Sequence, residues 1–91
     1  MAIDETMRLA SREALLKLLT AALVSPAEGQ MLFRAIINLA PYLLGVSEEE
    51  LAEHASASLP TVRAWQRGDT IPLLSLQQHI YRMFLRKFAT P

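Results

Sequence analysis

The chain has 91 residues and no cysteine, enough for a single domain over residues 1–91 but with no disulfide framework and no thiolate metal site. No apolar run approaches the roughly 18 residues of a membrane span, because Lys17 and Thr20 break one candidate and Arg34, Asn38 and Pro41 the other. A net charge of zero conceals an asymmetry: residues 1–57 hold four cations against eight anions, whereas residues 58–91 hold five cations against Asp69 alone.

That basic second half points to one face suited to a polyanion, with an ordinary solvated surface as the alternative. Asp4 and Glu5 ahead of the first apolar residues do not suit a secretory leader, and the missing cysteines fit a reducing compartment, so a cytoplasmic location and no membrane contact are expected. Apolar residues reach 52%, high for a chain with so much surface per volume, which favours a homodimer.

A first helix is expected from a cap at Asp4 to about Leu23, with Met7, Ala10, Ala14, Leu15, Leu18, Ala22 and Leu23 on or near one stripe. Leu16 and Leu19 widen the stripe, marking this N-terminal helix as a candidate dimerisation element. Ser25-Pro26-Ala27-Glu28 then supplies a capping box with proline at the first helical position. The second helix is expected to turn Met31, Ala35, Ile36, Leu39, Leu43 and Leu44 inward, to kink or lose regular hydrogen bonding at Pro41, and to stop at Gly45. Ser47 and Glu50 repeat the capping box for a third helix of about two turns with Leu51, Ala52 and Ala55 inward. After a sharp turn at Ser56 and Ala57, Ser58 can cap a fourth helix with Val62 and Trp65 on its buried face. A last helix carries Leu76, Ile80, Met83, Phe84 and Phe88 for packing and Arg82, Arg86 and Lys87 as a basic ridge. No strand pattern or repeat is visible, so the fold is all-α.

Two short helices joined by a three- or four-residue turn describe a helix-turn-helix unit. SEEELAEHASASLPTVRAWQRGDTIP, residues 47–72, resembles the helix-turn-helix of λ-repressor/Cro-like (XRE-type) DNA-binding domains. The resemblance rests on the combined spacing of Leu51-Ala52, Thr61-Val62, Trp65, Gly68 and Pro72 and covers 26 residues without a gap. It implies a five-helix λ-repressor-like domain with an extra or extended N-terminal helix, residues 1–24 forming that helix and 26–90 the helix-turn-helix part. This sequence departs from the family pattern at Glu48, Ser56, Leu59, Pro60 and Asp69, where Gln, Gly, polar readers and a basic residue are common.

The resemblance places residues 59–67 in the major groove of double-stranded DNA. The implied contact set is Ser58, Leu59, Pro60, Thr61, Arg63, Gln66, Arg67, Gly68 and Thr70. Thr61 or Arg63 would meet base edges, Leu59 a thymine methyl, and Arg67 with amides near Gly68 the phosphates. The plainer reading leaves these arginines solvated or paired with neighbours. His54 and His79 lack any metal-binding spacing, Glu48–Glu50 suit a helix start, and no phosphate loop or activated nucleophile is visible, so neither enzyme activity nor a cofactor is expected.

The leading expectation is a sequence-specific, dimeric transcriptional regulator, working by occupancy or with a protein partner such as RNA polymerase or a co-regulator. The alternative is a protein-interaction module on the same scaffold, such as an antitoxin or a partner-dependent subunit. Nonspecific nucleoid binding fits the neutral net charge less well.

Overall fold

In a computed structural model, the backbone is described for residues 4–89 and the side chains from residue 10 onward, so the expected roles of Asp4 and Met7 lie outside the described side chains. Five helices follow in order: α1 (Asp4–Val24), α2 (Pro26–Leu44), α3 (Glu48–Ala55), α4 (Leu59–Arg67) and α5 (Leu74–Ala89). Among the described residues there is no strand, and no helix is long and apolar enough to cross a membrane.

Local chemistry sets these boundaries. Ser25 has extended backbone, and its hydroxyl accepts the Glu28 N–H at 3.5 Å, with Pro26 supplying the fixed first turn of α2. Gly45 ends α2 in the left-handed region at φ 69°. Pro41 does not break α2: the helix runs on to Leu44, and the Pro41 carbonyl then accepts the Gly45 and Val46 N–H groups. Ser47 caps α3 by accepting the Glu50 N–H at 3.0 Å. The Glu50 carboxylate, however, lies 2.7 Å from the Lys87 ammonium, so it ties α3 to α5.

α2 is the central element. It packs against α1, α4 and α5, while α3 bridges α4 and α5. The core joins Leu15, Leu19 and Ala22 of α1 to Phe33, Ile36, Ile37 and Ala40 of α2, with Leu51, Val62, Trp65, Ile80 and Phe84 completing it. Gly29 allows the α1–α2 approach, since a Cβ there would stand 2.7 Å from the Ala22 carbonyl oxygen. The Tyr81 hydroxyl donates to the Gly29 carbonyl, so α5 is keyed to the same point. Burial raises the Tyr81 phenol pKa, keeping it a neutral donor.

Two expectations about facing are corrected. Met31 is 83% exposed and Ala35 and Leu39 also face solvent, while Phe33, Ile37 and Ala40 take the inward places. α2 is apolar on nearly every side, so residue periodicity carried little directional information and the α1, α4 and α5 contacts decide its orientation. On α1, Ala10 and Ala14 are exposed, and Leu19 is fully buried within the chain. Of the two leucines expected to widen the stripe, Leu19 is taken up within the chain and Leu16 stays exposed.

Candidate nucleic-acid interface

The stretch from α3 to α4 is built around Ser56. This residue sits at φ 52°, ψ 43° and its N–H reaches the carbonyls of Ala52 and Glu53. Ala57 adds a bond from its N–H to the Ala52 carbonyl at 2.9 Å, so three residues reverse the chain between α3 and α4. A serine in this conformation carries a cost of about 1 kcal/mol or more that glycine would not, which the two flanking helices must overcome.

Ser58 then starts α4. Its hydroxyl accepts the Thr61 N–H at 3.3 Å and lies 2.9 Å from the Thr61 hydroxyl. Val62 and Trp65 are buried, and the Trp65 ring meets Phe33 edge-on at 6.0 Å between centroids. The other end of α4 is fastened by α2: Asn38 Nδ2 donates to the Gln66 carbonyl at 2.9 Å and Arg34 Nε at 3.3 Å. Gly68 closes the helix at φ 82°, under the Arg34 guanidinium, which a Cβ would meet at about 3.1 Å.

α4 is thus gripped from below and open on its outer side. Pro60, Arg63 and Arg67 are exposed there, and Ser58 and Thr61 are exposed at its start. Leu59 is half-buried against the core and Gln66 is half-buried beside α2. Gly68 and Thr70 are exposed past the end of the helix. Thr70 joins Arg34, Asp69 and Trp65 in lining a cleft of about 280 Å³ between α2 and the loop after α4. Of the nine expected contact residues, Pro60, Arg63 and Arg67 share a strip on the outer side of α4, and Ser58 and Thr61 are exposed at its start. Leu59 and Gln66 turn partly inward, and Gly68 and Thr70 follow its end.

Both arginines of the strip have carboxylate neighbours. Arg63 Nη2 lies 3.4 Å from Glu48 Oε1, and Arg67 Nε lies 2.8 Å from Asp69 Oδ2. All four side chains remain substantially exposed, so these are weak, solvent-screened pairs. The strip is consequently near neutral. Arg34 and Asn38 are absent from the expected contact set, yet they fix the end of α4. Their spacing, two polar residues four apart in the otherwise apolar run from Met31 to Leu44, is the signal in the sequence that could have found them.

Compared with known families, characterised proteins and solved structures, the chain finds no match. What it can do must be argued from its own geometry.

The basic ridge is carried by α5, which packs on α1, α2 and α3. Arg82 is exposed there, Arg86 lies beside it, and Lys87 is paired with Glu50. His79 Nε2 lies 3.1 Å from the His54 carbonyl, bridging α5 to α3. Among the described residues, no three His, Asp or Glu side chains gather as a metal ion would need.

Proposed function

We propose that the chain is a sequence-specific, DNA-binding transcriptional regulator of the λ-repressor/Cro-like, XRE-type helix-turn-helix class, acting as a homodimer in the cytoplasm. The observation that carries this reading is the outward strip of α4. Val62 and Trp65 hold the helix from beneath, Asn38 and Arg34 hold the Gln66 carbonyl, and the opposite side presents Pro60, Arg63 and Arg67 to solvent, with Thr61 exposed in the first turn. A helix of nine residues, about 13 Å long, fits a major groove about 12 Å wide.

In this reading the start of α4 enters the groove. Arg63 gives up Glu48 to bind guanine O6 and N7 as a bidentate donor, while Thr61 exchanges its local contact with Ser58 for a base edge. Leu59 and Pro60 give apolar contact to a thymine methyl. Arg67 holds phosphate and so fixes position rather than sequence. A two-fold pair would read an inverted repeat with half-sites about 34 Å apart. Regulation would follow from occupancy of a promoter or from contact with RNA polymerase or a co-regulator.

The test is selection of duplexes from a random DNA library, followed by binding of Arg63→Ala and Arg67→Ala variants to the selected sequence. Loss of sequence preference in the first, and a uniform loss with a shallower salt dependence in the second, is the expected result. Selection of no motif, or binding indifferent to both changes, removes the proposal.

A second reading is favoured by the near-neutral strip. With Arg63 and Arg67 paired and Leu59 and Pro60 beside them, α4 also suits the surface of another protein, as in an antitoxin or a partner-dependent regulatory subunit. A stoichiometric protein partner whose binding is abolished by Pro60→Asp, in a chain that selects no DNA, would favour that alternative.

A further inference from the structure

The outer side of α2 is the least expected surface of the molecule. A helix on the surface of a small domain normally turns charge outward. α2 instead presents Met31 and Tyr42, each 83% exposed, with Ala35, Asn38 and Leu39 between them. At 100° per residue, 31, 35, 38 and 42 fall within one narrow stripe, and none of them is charged. Their spacing of four, three and four is that of alternating seam positions in a pair of packed helices.

We infer that this stripe is a self-association surface on which a second copy of the chain docks its own α2, antiparallel and about a two-fold axis. The sequence of the stripe reads large, small, small, large, so reversing it returns the same pattern. Antiparallel pairing sets Met31 of one copy against Tyr42 of the other and Ala35 against Asn38, with the small residues at the centre letting the two backbones approach. A parallel pairing would stack Tyr42 on Tyr42 and leave a gap at Ala35. The four stripe residues carry no charge, so the seam itself buries none, while the exposed Glu28 and Arg34 border it.

The area is sufficient for a modest dimer. Large side chains such as Met31 and Tyr42 offer roughly 150–200 Å² each. With Leu39 and the two small residues, two copies together offer on the order of 1,000 Å², the lower bound for a specific interface, so the dimer is expected to be weak. α4 lies along one flank of the stripe, beside Arg34 and Asn38. A two-fold axis perpendicular to both α2 helices therefore gives the two copies of α4 equivalent places on either side of the paired helices.

This deepens the homodimer named in the proposed function and rests on that reading only for the expectation of two-fold pairing. The test contains no DNA, so failure of the dimer and failure of DNA recognition are separable. Sedimentation equilibrium from micromolar to millimolar concentration should give a monomer–dimer equilibrium. Met31→Glu with Tyr42→Glu should raise its dissociation constant about a hundredfold or more while the far-ultraviolet circular dichroism is unchanged, because both side chains point to solvent. Leu16→Glu and Leu73→Glu, control changes at exposed apolar residues outside the four stripe positions, should leave the dimer intact.

Since the chain has no cysteine, register can be read directly. Met31→Cys mixed with Tyr42→Cys should oxidise to a heterodisulfide, whereas each alone should not, as like positions would lie about 16 Å apart along the antiparallel pair. A chain that stays monomeric throughout, a dimer that survives the double glutamate variant, a dimer lost only in Leu16→Glu or Leu73→Glu, or a homodisulfide from either single cysteine would each overturn the inference.

Discussion

Arg63 leans from α4 back to Glu48 at the head of α3, its Nη2 3.4 Å from the carboxylate Oε1. Together with Arg67 and Asp69 at 2.8 Å, this means that each cation on the outer strip of α4 meets an anion of the same chain before it meets anything else. In the DNA reading those carboxylates compete with phosphate and base edges. Glu48→Gln and Asp69→Asn should then tighten DNA binding by about two- to fivefold each, the scale of an exposed ion pair. The log–log salt dependence should steepen by up to about 0.9 for each additional phosphate neutralised. Fluorescence anisotropy over a salt series measures both. Affinity and slope unmoved by either change would argue that α4 does not face the nucleic acid.

Ser56 offers a stability test independent of function. Its φ of 52° is the only left-handed backbone at a residue other than glycine among the described residues. Ser56→Gly removes a steric cost of about 1–2 kcal/mol but adds about 0.5–1 kcal/mol of chain entropy in the unfolded state. The balance is a stabilisation of about 0.5–1 kcal/mol. Chemical denaturation should show a higher midpoint with an unchanged slope.

Gly29 should behave in the opposite way. Alanine is favoured over glycine inside a helix by about 1 kcal/mol, which alone would stabilise α2. The added Cβ, however, would stand 2.7 Å from the Ala22 carbonyl oxygen, a backbone atom held by α1, and 3.3 Å from the Tyr81 ring. Overpacking of this kind costs about 1–3 kcal/mol and outweighs the helix gain. Gly29→Ala is expected to lower the thermal midpoint. A rise would show that α1 yields easily at its C-terminal end.

The Glu50–Lys87 pair sets a direction for pH dependence. A hydrogen bond from the Lys87 side chain holds the Glu50 carboxyl pKa below its ordinary value. The folded chain therefore binds fewer protons than the unfolded chain in the acid range, and the contribution is present above the usual glutamate pKa of about 4.3 and lost as pH falls through the lowered value. Both side chains are about one-third exposed, which keeps the effect within the exposed-pair range of about 0.2–1 kcal/mol. Glu50→Gln should cost that amount at neutral pH and flatten the fall in stability on acidification. Denaturation midpoints of both chains across the acid range provide the comparison.

Much of the helical framework was legible because helix ends are decided locally. Ser25, Ser47 and Ser58 at the starts and Gly45 and Gly68 at the ends all act where their chemistry indicates. Val62 and Trp65 were legible for a related reason: beyond the first turn of α4 they are its large apolar residues, three apart, so one side of that stretch is the side to be buried. α2 was different. Apolar side chains surround it, so Phe33 and Met31 look alike until α1, α4 and α5 are in place. The partners of Arg63 and Glu50 were hidden too, since each depends on how two helices cross. Among the expected contact residues, spacing gave the outward set on α4, but not that Gln66 turns its carbonyl to α2 or that Leu59 folds against the core.

The two hydrogen bonds into the Gln66 carbonyl have a mechanical consequence. Asn38 belongs to the uncharged stripe of α2 and also grips the final turn of α4, and Arg34 grips it one helical turn away. Rolling α2 about its long axis would drag the tail of α4 with it and change the tilt at which Thr61 and Arg63 project. One asparagine therefore couples what sits on the flank of the molecule to the aim of its most exposed helix.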